Sequence, residues 1–76
     1  MNPKLPVVTA KQLIKVLKKA GFYEYRQKGS HLTLVRDSDD NQVTVPVHPG
    51  KTLGKGLLSK ILRESGLTIE EFNKLK

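Results

Sequence analysis

Apolar residues recur along this chain first with a helical period and then with a strand period. Leu13, Ile14, Leu17 and Ala20 stand at i, i+1, i+4 and i+7, one stripe of a helix whose other side carries Lys11, Lys15, Lys18 and Lys19. Thr9-Ala10-Lys11-Gln12 has capping-box spacing at its start, and Gly21 supplies the left-handed residue that stops it. The period then shortens to two. Residues 22–27, 30–36 and 42–47 each alternate, with Leu32 and Leu34 on one face of the second run and His31, Thr33 and Val35 on the other. Lys28-Gly29 marks one turn, and Asp37 to Asn41 form a polar hairpin tip. Val43, Val45 and Val47 share a face of the third strand, and Pro46 suits a strand end or an edge. A second helix begins near Leu53 or Gly54, buries Leu57, Leu58, Ile61 and Leu62, and ends at Gly66. Thr68-Ile69-Glu70-Glu71 then opens a short last helix through Phe72 and Leu75. Phe22 is expected to staple the first helix to the sheet. Tyr23 and Tyr25 share strand parity, and the reading puts them in the core rather than against nucleotide bases.

The order is α-β-β-β-α with a short C-terminal helix. A three-stranded antiparallel meander with both main helices on one face buries every stripe named above and leaves the other sheet face open. The fold class is α+β. At 76 residues, roughly 60% of the unfolded surface can be buried, enough for one small core. The expected organisation is one domain over residues 1–76, with an extended lead-in at 1–8, where Pro3 and Pro6 remove backbone donors, and a helical extension at 67–76.

Composition narrows the function. The chain has no cysteine, which excludes disulfides, thiolate metal sites and cysteine nucleophiles. No apolar run approaches the ~20 residues of a membrane span, and the first residues lack the apolar core of a secretory signal, so the expected location is the cytoplasm. Lys and Arg number 14 against 7 Asp and Glu, and the whole excess of +7 lies in residues 1–60. A field of that sign suits a polyanion, with nucleic acid first among candidates.

His31 is the candidate catalytic residue. It follows Lys28-Gly29-Ser30, starts the middle strand and has the parity of the uncovered face. Imidazole accepts and donates protons near neutral pH, the Gly-Ser turn leaves room for a ligand backbone, and Lys28 adds charge. The loop from His48 to Gly56 interleaves Lys51 and Lys55 with Gly50, Gly54 and Gly56 before a helix, whose first amides suit a phosphate. It is not a P-loop, because three residues separate Gly50 from Gly54 where four are needed, and Gly56 stands where Ser or Thr would bind magnesium. Nor is the hairpin tip a calcium loop, since Gln42 replaces its glycine and His48 its bidentate glutamate. No metal and no small-molecule cofactor is expected.

With those residues in place, the sequence resembles the HicA family of bacterial and archaeal toxins. The resemblance runs through Gly21-Phe22, Gly29-Ser30-His31, Val45-Pro46-Val47-His48-Pro49, the stretch Lys51-Thr52-Leu53-Gly54-Lys55-Gly56-Leu57, and Ile61-Leu62-Arg63-Glu64-Ser65-Gly66-Leu67. It implies a fold like that of double-stranded-RNA-binding domains, a ribosome-independent mRNA interferase activity, and neutralisation by a cognate HicB-type antitoxin. It also maps the family's catalytic histidine onto His31, with Gly29 and Ser30 as its matching neighbours. Residues 68–76 extend past the usual family end. Lys28, Gly29, Ser30, Lys51 and Lys55 are the residues expected to hold mRNA beside His31. The alternative readings are a non-catalytic RNA-binding module that recognises structured RNA by shape and charge, and a protein-interaction domain whose basic face meets an acidic partner.

Overall fold

The computed structural model describes residues 5–76. Of the expected lead-in, residues 1–4 lie outside the described residues; residues 5–8 have no regular secondary structure, and Val8 is buried. Helix α1 is Ala10–Lys19, strands β1, β2 and β3 are Tyr23–Lys28, His31–Arg36 and Asn41–Pro46, and helices α2 and α3 are Lys55–Ser65 and Ile69–Leu75. The order is the expected one, α-β-β-β-α with a further C-terminal helix, and the sheet is an antiparallel meander β1-β2-β3. No helix of the described residues is long and apolar enough to cross a membrane.

Local chemistry sets the element boundaries. The Thr9 hydroxyl accepts from the Gln12 amide (3.3 Å) while Gln12 Oε1 accepts from the Thr9 amide (2.8 Å), so two donors at the start of α1 are satisfied reciprocally. At its other end Gly21 takes φ +99°, the Phe22 amide donates to Leu17 O and the Gly21 amide to Lys18 O, a Schellman closure. Thr68 and Glu71 repeat the capping box at α3.

The core lies between the sheet and the helices. Leu32, Leu34, Val43 and Val45 form the sheet's covered face, Leu58, Ile61 and Leu62 come from α2, whose Leu57 is exposed against expectation, and Ala10, Leu13, Val16 and Leu17 from α1. Val16 takes the core position expected for Ile14, which is only half-buried, because α1 is rotated so that Ile14 lines a groove toward β1. Phe22 is buried as expected. Tyr23 and Tyr25 are not: they are 44% and 62% exposed. The expectation fails because, among the described residues, nothing covers the Tyr23 side of the sheet, and because the register slips between Glu24 and Arg26, leaving Tyr25 as the extra residue of a β-bulge.

Two further contacts close the molecule. Arg36, on the covered face at the end of β2, donates to Ala20 O (3.0 Å) and Ser65 O (3.0 Å) at the ends of α1 and α2, and bidentately to Asp39 (3.0 and 2.8 Å). Its guanidinium also lies 4.5 Å from the Phe22 ring centroid. A Cβ on Gly21 would stand 3.2 Å from Arg36 Cδ, so glycine there both allows the positive φ and admits this side chain. Helix α3 seals the remaining side with Phe72, which is fully buried, and Lys19 Nζ donates to Leu75 O (2.9 Å).

Phe72→Ala is therefore expected to cost about 3–5 kcal/mol, comparable to the whole stability of so small a core, and to lower Tm by at least about 12 °C in thermal unfolding. Acid should destabilise the protein for a separate reason. The hydrogen bond from Arg36 holds the Asp39 carboxyl below its usual range, and the Thr68 amide, then its side chain, does the same for Glu71. Both stabilising contributions are complete above the unfolded carboxylate pKa of about 4 and are lost as pH falls through the lower folded values. Melting curves between about pH 5 and pH 2 should show a shallower loss of Tm in an Asp39→Asn, Glu71→Gln double variant than in the parent.

Candidate functional site

The ladder register sorts the strand residues between the two faces. Tyr23, Arg26 and Lys28 of β1 pair with Val35, Thr33 and His31 of β2, which pair in turn with Gln42, Thr44 and Pro46 of β3. These nine form the open face, and Thr33 Oγ1 and Thr44 Oγ1 meet across it at 3.4 Å. None of them is a carboxylate. Glu24, paired with Leu34, turns to the covered face and makes an ion pair with Lys18 of α1.

His31 is exposed on this open face, between its cross-strand neighbours Lys28 and Pro46. The Gly29-Ser30 loop that precedes it has two residues, with Gly29 at φ +60°, the backbone a tight hairpin needs at that position. Gln27 Nε2 donates to Gly29 O (3.1 Å), and the Val47 amide donates to Ser30 O (2.6 Å), carrying the β2–β3 pairing past Pro46 and into the turn. The histidine thus sits on a braced turn rather than on a loose loop.

The segment after β3 brings in the second cluster. Gly50 has φ +78°, the Lys51 amide donates to His48 O (3.1 Å), and the Leu53 amide donates to Val8 O (2.8 Å) beside a Thr9–Thr52 bridge. This path delivers Lys51 to a hollow of about 240 Å³ lined with Pro46, His48, Thr52, Leu53, Gly54 and Leu57. Pro46 is the cross-strand neighbour of His31, so Lys51 and the start of α2 reach the same end of the sheet. Lys55 is the exposed first residue of α2 but does not line that hollow. The cap residue Gly54 offers no side-chain acceptor, which leaves the first amides of α2 free for another.

The molecule is electrically polar as a result. Both main helices end at Arg36, so both begin at the pole of His31, where the positive ends of their dipoles add to Lys28 and Lys51. The opposite pole holds Asp37, Asp39 and Asp40. There the Tyr23 hydroxyl donates to Asp37 Oδ1 (3.0 Å), which raises the phenol above its ordinary value, and Arg36 takes Asp39.

Of the residues singled out from sequence, Lys28, Gly29, Ser30, His31 and Lys51 come together at one pole, while Lys55 lies one step away at the head of α2. Two residues escaped that reading. Arg36 was hidden because its partners are backbone carbonyls, far off in the chain. Arg26 was hidden by the bulge: simple alternation from His31 through Lys28 would have shown it on the same face, but alternation from Tyr23 does not lead there.

A family sequence model described as the HicA toxin of bacterial toxin-antitoxin matches residues 10–67, from the first residue of α1 to just past Gly66. No curated protein matches the chain. The match leaves α3 outside it.

Gly29 has open space where a Cβ would stand, so the cost of replacing it is backbone strain alone. Gly29→Ala is expected to lose about 1–2 kcal/mol in denaturant unfolding. The loss should be the same at low and high salt, since no charge is involved.

Proposed function

The chain belongs to the HicA toxin family of bacterial toxin–antitoxin systems, and from that premise we propose that it is a ribosome-independent mRNA interferase with His31 as its catalytic acid–base group. The observation that carries this reading is an exposed imidazole on a sheet face free of carboxylates, flanked by Lys28 at the pole where both main helices begin. A polyanion is drawn to that pole, and its phosphates are kept from the acidic one.

The chemistry needs only the substrate and the imidazole. His31 takes the proton from a ribose 2′-OH as the oxygen attacks the adjacent phosphorus, or gives one to the departing 5′ oxygen. The 5′-oxygen bond to phosphorus breaks, the leaving strand carries a proton away, and the other product ends in a cyclic phosphate. RNA is required because the nucleophile is its 2′-OH. Lys28, Lys51 and Lys55, with the amides of Gly29, Ser30 and the start of α2, hold the phosphates, and positive charge near the phosphorus stabilises the transition state. A tight turn of Gly29 and Ser30 lets the backbone of the strand come close to His31. A cognate antitoxin of the HicB type would silence the enzyme by covering the open face.

His31→Ala is expected to abolish growth arrest on expression and to slow cleavage of purified RNA by ~10²–10⁴-fold. RNA binding should remain and weaken with added salt. Equal arrest and equal RNA decay from both forms would remove His31 from catalysis. Salt-sensitive binding with no product from the unmodified chain would instead identify a non-catalytic RNA-binding module.

A further inference from the structure

Arg26 has no role in the reading above, yet the register puts it on the same face as His31. It pairs with Thr33, the next open-face position along β2 from His31, while Lys28 pairs with His31 itself. Lys28 and Arg26 are therefore two residues apart on one strand and project from the same side, about 6.6 Å from each other along β1. That repeat is close to the separation of successive phosphates in an extended single strand. Neither cation is in an ion pair among the described residues, whose two pairs are Lys18–Glu24 and Arg36–Asp39. The carboxylate nearest in sequence, Glu24, is held on the covered face by Lys18.

Next to Arg26 stands the bulge residue Tyr25, which is 62% exposed and whose ring centroid lies 5.9 Å from the Arg26 guanidinium. An exposed ring beside an arginine is a platform on which an unpaired base stacks; bases inside a duplex are already stacked and do not reach it. Beyond Arg26 the face ends at Tyr23, tied to Asp37, and the acidic tip repels a strand that continues further.

We infer that Arg26 is a second substrate-gripping residue: it holds the phosphate one nucleotide along from the one His31 acts on, while Tyr25 stacks a base of the same single-stranded RNA. This rests on the nuclease reading and defines its substrate as an unpaired strand running along β1 from Lys28 to Arg26.

The test uses the full chain in its His31→Ala form, so that binding is read without cutting. The probe is a labelled, unstructured RNA oligonucleotide titrated across a salt series. Adding Arg26→Ala should weaken binding about tenfold or more and reduce the slope of log affinity against log salt by about 0.7, one phosphate contact on a single strand. Arg26→Lys should restore the slope. Lys60→Ala, an equal loss of charge at an exposed position on α2, should leave it unchanged. Tyr25→Ala should weaken binding at least about fivefold and Tyr25→Phe should not. An unchanged slope in Arg26→Ala, an equal drop in Lys60→Ala, or equally tight Arg26-dependent binding to a duplex would overturn the inference. Absence of any cleavage product from the unmodified chain, with Arg26-dependent binding intact, would instead overturn the nuclease reading, so the two failures are told apart.

Discussion

The guanidinium of Arg36 sits where three chain segments must meet, and its geometry decides how they are arranged. Five N–H donors in a planar fork serve two helix-end carbonyls and one carboxylate, while the flat face lies on Phe22. Each acceptor is a group that the helix ends or the hairpin tip would otherwise leave to water. The charge also matches the negative ends of both helix dipoles. Gly21 and Gly66 end their helices in the left-handed conformation close around it, where a Cβ would come within 3.2 and 3.6 Å of the arginine. A lysine, with three donors on a single nitrogen, cannot make all four of these hydrogen bonds.

From that clamp the orientation of everything else follows. Helix α2 has 11 residues and so runs about 16 Å, nearly the length of the β3 strand beneath it. With its end held at Arg36, which pairs with Asn41, its start arrives at the other end of β3, where Pro46 pairs with His31. Helix α1 ends at the same guanidinium and starts at Thr9, bridged to Thr52. Two helix N-termini, a histidine and free lysines are thus gathered at one pole by contacts made at the opposite one. The cationic pole of the proposed nuclease is a consequence of packing as much as of composition.

Helix α3 has a different place in this economy. It lies outside the family match, yet Phe72 is as deeply buried as any residue of the sheet. A chain of this length has little core to spare, and a third apolar wall adds burial without covering the open face. Stability and access to His31 are served by separate elements, so the helices that build the core leave the open face uncovered.

Much of this was legible in the residues. Capping boxes at Thr9 and Thr68, the helix stops at Gly21 and Gly66, and the alternation around Leu32 and Val43 are local signals, carried by neighbours within four positions in the chain, and they fixed the element order and the face to which His31 belongs. What the chain could not disclose is whatever depends on distant partners. Ile14 and Val16 are both apolar and differ only in which side of α1 meets the sheet. Tyr23 and Tyr25 look like core residues until they prove to be exposed, with none of the described residues layered over them and a bulge shifting their register. Arg36 and Arg26 are identical in type, and only the pairing of β1 with β2 and the convergence of two helix ends make one a clamp and leave the other free on the open face. Periodicity is a property of adjacent residues and survives reading one at a time; burial, register and charge balance belong to pairs of segments, and exist only once the chain has folded.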